Sequence, residues 1–157
     1  MDLHREFEAA HAEHVDILEF LNQWEGALLL IASDDCETRC HGLLELRAME
    51  GKIVEIWEHC HKEEDNADSP LFRFAQPADV QRLREEHFRL YRANYDFRRE
   101  MEFTWSSVTG DLVLLGQRLL SALRDHIVYE EELLRRFEHD LPHLDEAVVP
   151  VVTCQTN

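Results

Sequence analysis

The chain has 157 residues, 45% of them hydrophobic, which suits one folded domain and argues against a disordered chain. Its formal net charge of -17 argues against nucleic-acid backbones and anionic membranes as partners, because both would repel it. Five glycines and four prolines are too few for a many-stranded β fold, so long helices are expected.

The N-terminal stretch MDLHREFEAAHAEH is charged and lacks the apolar run of a signal peptide. The longest wholly apolar run, Ala27 to Ala32, is far too short to span a bilayer. The cysteines, Cys36, Cys40, Cys60 and Cys154, do not form a disulfide-rich scaffold, and a reducing cytoplasm is the expected compartment.

Four stretches carry a helical apolar period. The first runs from Leu3 to Ala32, with the stripe Leu3, Phe7, Ala10, His14, Ile17, Leu21, Trp24, Leu28, Ile31. Asp34 followed by Glu37 reads as a capping box for the next helix. That helix is expected from Cys36 to Asp65, with Leu43, Leu46, Met49, Ile53, Ile56, His59 or Cys60, and Glu63 on its stripe. Residues 66 to 77 form a connection whose Leu71, Phe72 and Phe74 seal one end of the fold. The third helix starts near Pro77, a good first-turn residue, and reaches Trp105 along Val80, Leu83, His87, Leu90, Asn94, Phe97 and Met101. After a break at Ser106 to Gly110, the fourth runs from Asp111 to His139 along Leu112, Leu115, Leu119, Ala122, His126, Glu130, Leu133 and Phe137. Pro142 ends it, leaving residues 1–141 as one domain and 142–157 as a tail. Four such helices with short links imply an all-α, up-down-up-down four-helix bundle.

Every stripe contains a histidine: His14, His59, His87 and His126. His59 and His126 each have a glutamate one turn later, Glu63 and Glu130, on the same helix face. A lone inward histidine is commonly a hydrogen-bonded core residue. A charged carboxylate in an apolar seam is different, because it costs several kcal/mol, roughly, unless it is paired or coordinates a metal. No inward Lys or Arg neutralises the two glutamates, so a cation is expected among them. Mixed imidazole and carboxylate ligands suit iron, manganese or zinc. Six ligands exceed what one zinc takes, so a dinuclear site is expected.

The ordered set His14, His59-Cys-His-Lys-Glu63-Glu64, Glu86-His87 and His126-Ile-Val-Tyr-Glu130-Glu131 resembles the hemerythrin-like family, the HHE cation-binding domains, over about residues 3 to 140. The resemblance implies a non-haem centre of two iron ions with an oxo or hydroxo bridge, Glu63 and Glu130 bridging the ions. It implies a small diatomic or peroxide ligand: oxygen, peroxide or nitric oxide. Two octahedral ions offer about twelve positions, of which about two stay open. The oxygen-carrying members have a fifth histidine one turn after the helix-3 ligand, where this chain has Tyr91. That departure speaks against simple reversible oxygen carriage. Enzymatic turnover, an iron- or oxygen-sensing module, and iron storage or detoxification remain alternatives.

Several residues compete with this assignment. His11 lies one turn before His14, but its stripe runs into Glu25. His61 and Glu64 would pair if the second helix were rotated, at a spacing of three instead of four. Tyr91 reads as a core tyrosine or as a donor or redox partner behind the ligands, and Tyr129 carries a weaker form of the same reading. Cys36-Glu-Thr-Arg-Cys40-His41 has one residue too many for a haem-attachment motif; it reads as two ordinary cysteines or a thiol pair one turn apart. His4, His139 and His143 are expected at the surface.

Overall fold

The computed structural model describes residues 3–65, 71, 74–103 and 110–146, apart from the side chains of 3, 60–65, 103 and 141–146. The described residues are all-helical, in five helices: α1 (Leu3–Ile31), α2 (Cys36–Ala48), α3 (Glu50–Asp65), α4 (Pro77–Phe103) and α5 (Gly110–Glu146). None of them is long and apolar enough to cross a membrane.

The expected second helix is two. Met49, at φ -86° and ψ -3°, leaves helical geometry, and its N–H is shared between the carbonyls of Glu45 at 3.2 Å and Leu46 at 3.3 Å. Its own carbonyl already accepts from Lys52 and Ile53, so the chain resumes at once as α3. The break is a tightening of one turn and leaves the buried stripe continuous through Leu46, Ile53 and Ile56.

The N-cap of α2 is Asp35 and not Asp34. Its carboxylate accepts from Thr38 N–H at 2.8 Å and from the Thr38 hydroxyl at 2.6 Å. The cap must directly precede the first helical residue, Cys36, and Thr38 is the matching third position. Nor does Pro142 end α5, which continues to Glu146. A proline removes one donor and crowds the preceding turn; near a terminus that disturbs the helix without stopping it.

Contacts between neighbours run in opposite chain directions. On α1 and α5, His11 meets Glu138, His14 meets Glu131, and Glu25 meets Arg124. On α3 and α4, Glu50 meets Arg98 and Trp57 stacks on Tyr91 with ring centroids 5.3 Å apart. On α4 and α5, Asp79 meets Arg136 and Glu86 meets His126. The Asp79 carboxylate also accepts from the Tyr129 hydroxyl at 2.7 Å. Burial and that bond push the Tyr129 phenol up to about 12.

One core cluster centres on Trp24, which is fully buried between Phe20 and Phe97. Each such large apolar side chain stabilises the fold by roughly 1.5–3 kcal/mol. A second cluster joins Phe7, Leu71, Leu83, Leu133, Leu134 and Phe137, with Phe74 against it. Leu71 and Phe74 thus close one end as expected, while Phe72 lies outside the described residues. Between the two clusters the same stripes turn polar.

Candidate metal centre

His14 on α1, His59 on α3, His87 on α4, and His126 with Glu130 on α5 are all buried, with Glu130 at 0% exposure. They occupy stripe positions, so the apolar period that buries Ile17, Ile56, Leu90 and Leu133 buries them too. Glu130 stands at the middle. His14 Nε2 lies 3.2 Å from its Oε2, and His126 Nε2 lies 3.0 Å from its Oε1. His87 Nε2 is 3.8 Å from the same Oε1 and 2.9 Å from His126 Nε2. The His14 and His59 rings meet edge to face, 5.4 Å between centroids.

Two triads result, His14–His59–Glu130 and His87–His126–Glu130, each offering three ligand atoms within 4.8 Å of one another. Glu130 belongs to both. Glu63 lies one turn beyond His59 on the α3 backbone, but its side chain is outside the described residues, as are those of Cys60, His61 and Glu64.

The outward nitrogens face carboxylates. His14 Nδ1 donates to Glu131 at 2.7 Å, and His126 Nδ1 donates to Glu86 at 3.1 Å. His59 Nδ1 lies 3.1 Å from Glu13. A carboxylate only accepts, so each of these three Nδ1 atoms carries a proton and, in the neutral ring, leaves its Nε2 as the acceptor that faces inward. Second partners hold the outer carboxylates in place: Arg82 binds Glu86 at 2.7 Å, and His11 Nδ1 binds Glu131 at 2.9 Å. His11 therefore points at Glu131 and Glu138, away from Glu130.

The charges follow. Burial works against ionisation of Glu130, yet the imidazoles of His126, His14 and His87 outweigh it and hold the carboxyl well below its usual range. Burial depresses His14 as well, but Glu130 and Glu131 together leave it raised. Burial wins at His59, which is lowered despite Glu130 and Glu13.

The donor set fits a cation. Both Glu130 oxygens and His14 Nε2 are buried and have no hydrogen-bond partner, although they lie close together. Buried polar atoms left without a hydrogen-bond partner cost about 1–3 kcal/mol for each unsatisfied group, more where charge is involved. A positive ion satisfies them together. Three imidazoles locked in one tautomer by outer carboxylates are the arrangement that metal-ligating histidines require. Nitrogen and oxygen donors without thiolate suit mid-series divalent ions, and two triads sharing one carboxylate can hold an ion each.

A cavity of about 510 Å³ opens between α4 and α5, with Glu86, His126 and Tyr129 in its wall. It lies beside the pair formed by His126 Nδ1 and Glu86, on the α4–α5 side of the centre. Tyr91 is partly buried and packs on Trp57 against the core one turn from His87. No protein-family model, curated protein or solved structure matches the chain.

Proposed function

We propose that the chain is a hemerythrin-like, non-haem di-iron protein that binds a small diatomic or peroxide ligand within an up-down-up-down four-helix bundle. The observation that carries the reading is Glu130: a fully buried carboxylate whose two oxygens face two separate histidine pairs. The antiparallel neighbours support the bundle. The match between the buried histidines and the ordered histidine–glutamate motifs supports the family.

In this reading His14 and His59 hold one ion and His87 and His126 the other. Glu130 would be shared between them, and Glu63, whose side chain lies outside the described residues, is the second carboxylate that the family resemblance implies. Bound iron supplies redox capacity and open coordination positions for oxygen, peroxide or nitric oxide. The protein's part is placement. Glu131, Glu86 and Glu13 fix the ring tautomers of His14, His126 and His59. Ile17, Leu90 and Ile127, all buried, keep bulk water from the ligand atoms. The cavity beside His126 admits a ligand of a few atoms.

Purified protein is expected to carry about two irons per chain and a visible spectrum that changes with oxygen, peroxide or nitric oxide. The double change Glu63→Ala and Glu130→Ala should abolish both. A double variant that still held two irons would sink the assignment, and so would a colourless wild-type protein containing only zinc.

A further inference from the structure

Cys36 and Cys40 take no part in the buried centre. Both are free and exposed, on the first two turns of α2. Ile31, where α1 ends shortly before them, is seventeen residues beyond His14, about 25 Å along the helix. The two thiols stand four residues apart and so share a face of α2.

Two chemistries are open to such a pair, and helix geometry separates them. Residues four apart on a helix hold their Cβ atoms about 5–6 Å apart. A disulfide needs about 3.5–4.5 Å, so closing one would require unwinding the first turn that Asp35 caps. An ion between two sulfurs relaxes that demand. With metal–thiolate bonds of about 2.3 Å, as for zinc, the sulfurs stand up to about 4.6 Å apart, which the helical spacing accommodates.

Ligand number then selects the ion. Among the described residues no third histidine, cysteine or carboxylate joins the pair within ligating reach. His41 is adjacent in sequence, but its Nε2 is engaged by Glu45 at 3.1 Å. Zinc prefers four ligands, whereas copper(I) is drawn to soft thiolates and is content with two. Asp34, Asp35 and Glu37 outnumber Arg39 around the pair, a net negative charge that favours a cation. Cys36 holds the Cys40 thiol above the ordinary cysteine range, which disfavours the free thiolate of an attacking nucleophile. An arriving ion displaces that proton itself.

We propose that Cys36 and Cys40 form an exposed two-thiolate site for a soft monovalent cation of the copper(I) class, separate from the buried histidine–glutamate centre. The site is independent of the identity of the buried metal.

The test is an anaerobic titration of the full-length protein with copper(I) against a colorimetric copper(I) chelator, on wild type, Cys36→Ser, Cys40→Ser and the double variant Cys60→Ser/Cys154→Ser. Wild type and the Cys60/Cys154 variant are expected to bind one tight equivalent. Each of the other two should bind it at least about a hundredfold more weakly, the advantage that a second tethered ligand confers. Unchanged iron content and far-ultraviolet circular dichroism in all four show that the buried centre and the fold are intact. Full copper(I) binding by Cys36→Ser or Cys40→Ser would overturn the proposal, as would its loss in the Cys60/Cys154 variant.

Discussion

The carboxylates behind the histidines decide how the buried centre works. Glu131 and Glu86 each bind the outer nitrogen of an inner histidine, His14 and His126. Removing such a partner frees the ring to rotate and to change tautomer, which typically weakens metal binding about 10–100-fold. Glu131→Ala and Glu86→Ala are therefore expected to lower iron affinity by that factor in competition with a chelator. His139→Ala should leave it unchanged, since that side chain is 82% exposed and, among the described residues, pairs with its neighbour Asp140. Equal affinities in all three variants would show that the outer carboxylates do not orient the ligands. The inner histidines are legible in the sequence because they interrupt apolar stripes. The outer ones are less so. Glu131 and Glu86 are visible only as the neighbours of Glu130 and His87, and Glu13 carries no signal at all. Their roles depend on where a side chain of one helix lands on another, and no local period encodes that.

Helix contacts raise the same issue over longer stretches. Gly42 brings α2 against α1 so closely that a methyl group there would lie 2.8 Å from Ala27 O, Ile31 N and Leu30 Cβ. Two of these are backbone atoms of a packed helix and cannot move aside cheaply. At Gly116 on α5 the nearest atoms are the two Leu28 methyls at 2.7 and 2.8 Å and Phe97 Cε2 at 3.1 Å, all parts of side chains. Alanine gains about 1 kcal/mol of helix propensity over glycine at either position. Overpacking costs about 1–3 kcal/mol or more where the neighbours are rigid. Gly42→Ala is thus expected to destabilise by up to about 2 kcal/mol in urea unfolding, and Gly116→Ala to fall clearly below it. The reverse order would mean that α1 and α2 are less tightly joined than their geometry implies. Gly42 reads in the sequence as an ordinary mid-helix glycine, and only the α1 surface opposite explains it. The break at Met49 is hidden for a related reason: a one-residue tightening leaves the apolar period intact. The α2 cap was displaced by one residue because Asp34 and Asp35 both satisfy the local rule, and Thr38 selects between them. The extent of α1 and the starts of α4 and α5 are legible from their stripes, whereas α5 runs past Pro142 to Glu146, because a proline near a terminus disturbs a helix without stopping it.

At the scale of the molecule, the centre ties together α1, α3, α4 and α5, with one ligand or more from each. That each stripe carries a histidine is readable from periodicity. That the four sort into two pairs around one carboxylate is not, because it depends on the relative heights of antiparallel helices. In the proposed reading the arrangement makes folding and metal binding a linked equilibrium. Without a cation, the chain must bury the Glu130 oxygens and His14 Nε2 unsatisfied, in a molecule whose net charge of -17 already opposes compaction. An ion that binds only the folded chain stabilises it by RT ln(1 + [L]/Kd), about 2.7 kcal/mol at a free concentration one hundred times Kd. In a domain of this size each kcal/mol moves the melting midpoint by roughly 2–4 °C, so the shift is about 5–11 °C. Chelator treatment of the proposed di-iron protein is therefore expected to lower the wild-type midpoint by that amount for each ion lost, and ferrous iron added back should restore it. Added salt screens the self-repulsion and raises both midpoints together, so it must be held constant across the comparison. Glu130→Ala should melt at the same temperature with and without iron, because neither triad survives the loss of the shared carboxylate. Equal midpoints for the chelated and iron-loaded wild type would mean that the four helices are joined by their apolar clusters alone.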